Sequence, residues 1–146
     1  MIIKASFEID APADRVWPML CDIVLVAACI PNAEITEIVD EMTYKAKVAV
    51  KVGSVTVRYG ATIFVESFNE ATYTATMRIH GNAIGGRGGV KASLVSQVVS
   101  RDGSTHVDLH SDARISGIVA TLGGRLIEGI AKKTVAEFST NLAQLL

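Results

Sequence analysis

An excess of charge of either sign is missing from this sequence. Its 14 Lys and Arg stand against 15 Asp and Glu, for a net charge of -1. A surface that binds nucleic acid by neutralising phosphates needs a strong basic surplus, so that class of function is set aside. No apolar run is long enough to cross a bilayer: the longest, Ile23 to Ile30, falls far short of the roughly 20 residues a helical span needs. The opening MIIKASFEID lacks the basic start and apolar stretch of a signal peptide, and a cytoplasmic location is expected. Cysteine is scarce. Cys21 and Cys29 are the only two, too few for a disulfide framework, and are expected to be reduced, buried thiols. Proline occurs three times and never in a strand-like segment. Linkers, internal repeats and low-complexity tracts are lacking too. Residues 1–146 are therefore expected to form one domain that buries roughly 70% of its unfolded surface.

What the chain has is hydrophobicity, with a mean hydropathy of +0.36, carried by strands and one helix. Ile3, Ala5, Phe7 and Ile9 alternate with polar residues, the period-two signature of a half-buried strand. Pro12 suits the first turn of a short helix that turns Val16, Trp17 and Leu20 inward. Asp22 is a plausible N-cap for a second short helix, which Pro31 ends by pushing its predecessor out of helical geometry. Alternating segments then follow at 44–52, 55–65, 73–79, 90–98 and 107–115. They are separated by turn signals at Gly53-Ser54, Asn69-Glu70, 85–89 and Arg101-Asp102-Gly103-Ser104. These connections are short enough for an antiparallel meander.

The chain closes on an amphipathic segment, roughly Thr121 to Leu145, whose 3.6-residue period predicts a helix of about 25 residues and about 37 Å. Gly123, Gly124 and Gly129 loosen its start, each by about 1 kcal/mol relative to alanine. They serve either close packing on the sheet or movement of the first turns. The element order predicts an α+β fold: a curved antiparallel sheet of about seven strands wrapped around a long C-terminal helix, with two short helices after strand one. Such a wrap leaves an apolar hollow between sheet and helix. The residues nominated to line it are Leu25 from the second short helix and Val48, Val50, Val57 and Tyr59 from the first hairpin. Met77, Ile79, Leu94 and Leu109 come from the later strands, and Leu122, Leu126 and Ile130 from the closing helix. Tyr59 is the first candidate for a hydrogen-bond donor, followed by Ser96 and Ser111.

Catalytic constellations are weak. His106, Asp108, His110 and Asp112 share one strand face and so approach a common point. That face also holds Arg114 and Ser116, whereas the opposite one is apolar, which makes it a solvated surface. His80 sits with Arg78 and threonines on a polar face. Cys21 and Cys29 have no histidine near them in sequence and read as structural. Gly85–Gly89 lacks the GK[ST] ending and the following helix of a phosphate cradle, and reads as a sheet corner. Asp22 and Glu34 flank the short helices, and no pair of buried carboxylates for acid/base work is visible. Lys45, Lys47 and Lys51 form a row on one strand face, which meets solvent, an anionic lipid surface or an acidic partner.

Several segments together resemble a known family. These are Ala11-Pro12-Ala13-Asp14-Arg15-Val16-Trp17, Cys29-Ile30-Pro31-Asn32-Ala33-Glu34, Lys51-Val52-Gly53, Tyr59-Gly60, Gly85–Gly89 and Gly123-Gly124-Arg125-Leu126-Ile127. The chain is similar over essentially its whole length to the START-like (SRPBCC, birch-pollen-allergen-like) helix-grip superfamily. Within it, the chain resembles the G subunits of carbon monoxide dehydrogenase. Asn32 stands where glycine is expected, and asparagine tolerates a left-handed backbone better than most residues. Many members continue into an apolar or low-complexity tail beyond the point matching Leu146. The resemblance implies a non-catalytic role beside a molybdenum-containing CO dehydrogenase or related hydroxylase, in membrane attachment or maturation. It also implies carriage of a lipophilic quinone of the menaquinone or ubiquinone type, at the inner face of the cell membrane. Two alternatives stay open: an adaptor that docks the enzyme to the membrane with no ligand, and an enzyme of the aromatase/cyclase type.

Overall fold

The computed structural model describes residues 1–146. β1 (Ile2–Ile9) leads into α1 (Ala13–Cys21) and α2 (Ile23–Cys29). β2 (Ala33–Asp40), β3 (Thr43–Val52), β4 (Val55–Asn69), β5 (Thr74–Ala83), β6 (Gly89–Arg101) and β7 (Ser104–Ile115) follow. A single 3-10 turn (Val119–Leu122) then precedes α3 (Gly124–Ala143). All neighbouring strands are antiparallel, in the order β1-β7-β6-β5-β4-β3-β2. The sheet is thus a meander that returns β1 to the side of the last strand.

The turn chemistry explains the register. Gly53 (φ 60) closes the β3–β4 hairpin so that Val52 pairs with Val55. Asp102 and Gly103 both take positive φ (50 and 85) between β6 and β7, the pattern of a tight hairpin turn whose twist matches its strands. Asn69 Oδ1 accepts from the Ala71 and Thr72 amides at 3.1 and 3.3 Å, an Asx turn that starts the β4–β5 connection. Asn32 has φ 60, as its place in the turn after α2 requires. The Asp22 carboxylate accepts from the Leu25 amide at 3.2 Å and caps α2, and Ile30, before Pro31, is extended. Pro12 sits one place earlier than expected, at the N-cap of α1.

Two sequence expectations change. Residues 33–40 form a seventh strand that the period-two pattern does not reveal. β2 is an edge strand with irregularities between Ile35 and Glu37 and between Ile38 and Asp40, and each bulge breaks the alternation. The closing helix is shorter than 121–145. Gly123 adopts φ 85, ψ 156 and separates the 3-10 turn from α3, which leaves 20 helical residues, about 30 Å.

The core has two parts. The larger gathers Val16, Trp17 and Leu20 of α1 with Phe7, Val107, Phe138 and Leu142. Phe7 meets Phe138 edge to face at 5.7 Å, and Trp17 stacks on Tyr73 at 5.1 Å while its Nε1 donates to Glu70 Oε2 at 2.9 Å. Asn141 Nδ2 donates to the Cys29 carbonyl at 2.9 Å, which fastens the end of α3 to α2. Thr105 Oγ1 donates to the Ala11 carbonyl at 2.6 Å inside this core. The smaller part joins Tyr59, Val119 and Ile127 at the other end of α3. There Gly88 and Gly117 cross so closely that a side chain on Gly88 would strike the Ser116 carbonyl, and one on Gly117 the Arg87 carbonyl. Both have positive φ. This crossing ties the β5–β6 turn to the segment leaving β7.

Candidate ligand-binding hollow

Between the two core clusters the concave face of the sheet is incompletely covered. Val48, Ala61, Ile79, Ala92 and Ser111 point inward by strand parity yet are only half-buried, as are Ile130 and Thr134 on α3. The accessible surface is 8298 Å², about 1,100 Å² more than the roughly 7,200 Å² of a compact monomer of 15.5 kDa. Small residues run across the middle of this face, with Ala61 and Ala92 half-buried and Ala46, Gly81 and Ala113 buried. Ala46, Ala61 and Gly81 are consecutive partners across β3, β4 and β5, and Ala92 pairs with Ala113 across β6 and β7.

The nominated residues fall on both sides of this gap. Val50, Val57 and Leu122 pack against the smaller cluster, with Tyr59 at its centre. Leu25, Leu94 and Leu109 pack against the larger one, to which Met77 belongs. Val48, Ile79 and Ile130 lie in between, half-buried. Leu126 departs from the expectation: it is 47% exposed, because the break at Gly123 sets the phase of α3 and Ile127 takes the inward place. The small residues of the floor were not nominated, although their signal is visible: inward-parity positions occupied by Ala or Gly midway along successive strands. A depression of about 610 Å³ opens along the flank of α3, lined by Lys4, Ala5 and Ser6 of β1, Asp108, Leu109 and His110 of β7, and Lys132, Val135 and Ala136 of α3, so its lining is mixed and partly charged. Two others, of about 430 and 390 Å³, lie over the convex face among outward side chains such as Lys91, Arg114 and Lys47.

The inward face carries no charged residue on β3 through β7. Its polar groups are hydroxyls. Tyr59 is buried, and burial holds its phenol above the usual range. Its hydroxyl has no protein partner and is not sealed from solvent, which leaves a donor free at the edge of the hollow. Ser96 is buried and Ser111 half-buried, on the neighbouring strands β6 and β7.

The other candidates lie away from it. His106 bridges Glu8 Oε1 at 3.3 Å and Asp108 Oδ1 at 3.0 Å on the convex face, and His110 stands opposite Lys4 in the β1–β7 register, with Asp112 opposite Ile2. His80 contacts the Phe64 ring edge at 5.6 Å, next to Arg78, which is bonded to Glu66 at 2.6 Å. Lys47 and Lys45 face Glu34 and Glu37 across β2, so two of the three lysines of the row have an acidic neighbour. Cys29 is buried and Cys21 half-buried. Burial, then the charge of Glu70, pushes the Cys21 thiol up to about 11, and burial raises that of Cys29. Thiols so protonated are poor nucleophiles at neutral pH.

The chain has relatives among known proteins. The sequence profile of the family described as the carbon monoxide dehydrogenase G subunit (CoxG) matches residues 5–146. No curated protein matches the chain. Among solved structures, a conserved protein from Geobacillus kaustophilus superposes with a TM-score of 0.86 at 24% identity, over 99% of this chain and 93% of that one. A START superfamily protein from Mycobacterium smegmatis gives 0.66 at 13% identity, over 98% and 94%. The Zhui aromatase/cyclase from Streptomyces sp. R1128 gives 0.59 at 17% identity, over 99% and 89%. At these identities the likeness is one of fold, the START-like helix grip. No helix is long and apolar enough to cross a membrane.

Proposed function

The chain belongs to the family of carbon monoxide dehydrogenase G subunits, and we propose that within it this protein is a non-catalytic carrier of a lipophilic small molecule. Its cargo is an isoprenoid quinone of the menaquinone or ubiquinone type, or a similar lipid, held under α3. It links a molybdenum CO dehydrogenase, or a related hydroxylase, to the inner face of the cell membrane.

The observation that carries this reading is the half-buried, uncharged concave face between the two core clusters. An apolar surface left open to water inside a fold gains about 25 cal/mol for each Å² a ligand covers. A prenyl chain that covers several hundred Å² gains enough to offset the cost of immobilising it. Recognition would rest on shape and burial, with one polar group to set orientation. Tyr59 supplies such a group: a neutral phenol at neutral pH, free to donate to a quinone carbonyl. The same lining argues against aromatase/cyclase chemistry. Moving protons to and from a reacting carbonyl calls for ionisable groups tuned near neutrality, and the inward phenol of Tyr59 is shifted away from neutrality by burial.

Purification from the native host, followed by organic extraction and mass spectrometry, tests the reading. A stoichiometric isoprenoid quinone or lipid supports it and identifies the cargo. A clean apoprotein that takes up no added quinone overturns it and leaves a docking adaptor.

A further inference from the structure

The sheet has two free edges, β1 and β2, and they are unlike. β2 is irregular at two places along its length and carries Glu34, Glu37 and Asp40. Bulges and a single sign of charge keep an edge from pairing with another chain. β1 has neither device. Its register with β7 runs unbroken from Ile2↔Asp112 to Ile9↔Thr105. It holds no proline, and its two charged residues, Lys4 and Glu8, are opposite in sign.

The backbone of the β1 edge is set out for a partner. The amino terminus of Met1 donates to the Ala113 carbonyl at 2.6 Å, and the Ala113 amide donates back to the Met1 carbonyl at 2.8 Å. Bonded and non-bonded pairs alternate along an antiparallel ladder. The odd-numbered residues of β1 therefore bond to β7, while Ile2, Lys4, Ser6 and Glu8 aim their N–H and C=O groups away from the sheet. No turn or cap bond reaches those groups, and all four residues are exposed. The depression along the flank of α3 opens beside the middle of this edge, at Lys4, Ala5 and Ser6.

We propose that β1 is a self-association edge, along which two copies of the chain pair antiparallel about a twofold axis at Ser6 and join their sheets into one. Charge picks out this register. It sets Lys4 opposite the partner's Glu8, and Glu8 opposite the partner's Lys4, with the two Ser6 residues facing each other. All of these are even-numbered, so the residues that meet are those whose N–H and C=O groups are free. On the other face Ile3 pairs with the partner's Ile9, and Ala5 with the partner's Phe7. A shift of two residues one way sets Lys4 against serine and Glu8 against isoleucine; a shift the other way shortens the pairing to residues 5–9. A lysine in an edge strand normally opposes pairing, but a cross-strand pair of opposite charge favours it. Lys4 is in no ion pair within the chain, and Glu8 meets Arg101 and His106 through Oε1 alone. Lys132, on the flank of α3, is paired with Glu128 at 3.0 Å. Because the same patch serves on both copies, the assembly closes as a dimer. The proposal is independent of any cargo.

Sedimentation velocity of the full chain over a range of protein concentrations tests it, with circular dichroism to show that each variant is folded. Wild type is expected to move from 15.5 kDa to twice that mass as concentration rises. Ser6→Pro removes the amide that bonds at the axis, on a free edge where proline is tolerated, and is expected to give a folded monomer. Lys4→Glu and Glu8→Lys, each alone, turn two symmetric attractive pairs repulsive and should weaken association about 10-fold. An equimolar mixture of these two variants restores the dimer, because each chain supplies the charge that the other lacks. Glu37→Lys, on the β2 edge, leaves association unchanged. A wild-type chain that stays monomeric at every concentration overturns the proposal and leaves β1 to a strand of another protein. So does a dimer that survives Ser6→Pro, or one that the mixture fails to restore, because the contact then lies elsewhere.

Discussion

Replacing Ala92 by tryptophan separates a hollow from a filled core. Ala92 is half-buried on the inward face of β6, with Ile79 and Ala113 as its cross-strand partners. If the space under α3 were filled, an indole would overpack it and cost about 1–3 kcal/mol. For a domain of this size that lowers Tm by roughly 2–10 °C. If the space is open, the indole covers apolar surface that water now reaches. Covering about 100 Å² contributes about 2.5 kcal/mol before the loss of rotamer freedom, so Tm is expected to hold or to rise by a few degrees. The same indole occupies the volume proposed for cargo, so uptake of menaquinone should fall at least tenfold. Thermal unfolding followed by circular dichroism and quinone retention on gel filtration give the two readouts. A loss of more than about 2 kcal/mol of stability, with quinone uptake unchanged, would refute the reasoning, because it would show a packed interior and a cargo site elsewhere.

Three further outcomes follow from the same structure. Tyr59→Phe should leave the fold intact and weaken quinone binding about 3- to 10-fold, the value of one hydrogen bond; an unsubstituted isoprenoid hydrocarbon should bind both proteins alike in a competition assay. Cys21, with its thiol raised from 9.0 to about 11, contributes stability that is fully present below pH 9 and is lost as pH rises through about 11, because the unfolded chain releases that proton first; Cys21→Ala should flatten this part of the plot of Tm against pH. Gly117→Ala forces a side chain against the Arg87 carbonyl at φ 86. It should cost at least about 1–3 kcal/mol from backbone strain alone, whereas Gly129→Ala, which meets nothing within 4 Å, should be neutral or stabilising in chemical denaturation.

Much of the architecture is written in local pattern. Alternation and turn residues place six strands because each turn uses chemistry with one geometric answer: Gly53, Asn69, and Asp102-Gly103. β2 escaped that reading because its bulges break the alternation and both its faces are largely exposed. The length of α3 escaped because periodicity runs through Gly123, and only the backbone there shows the break. The inward face was legible from strand parity, but which of its residues lie half-buried between the two core clusters was not. The row of small residues Ala46, Ala61 and Gly81 across β3, β4 and β5 depends on register, which the sequence does not show.

The central claim, that the space under α3 accepts an apolar ligand, is tested most directly by native mass spectrometry of the apoprotein titrated with a short-chain menaquinone. A one-to-one adduct is expected on the wild-type chain and is lost in Ala92→Trp. No adduct on the wild type, or one that persists undiminished in the variant, would contradict it.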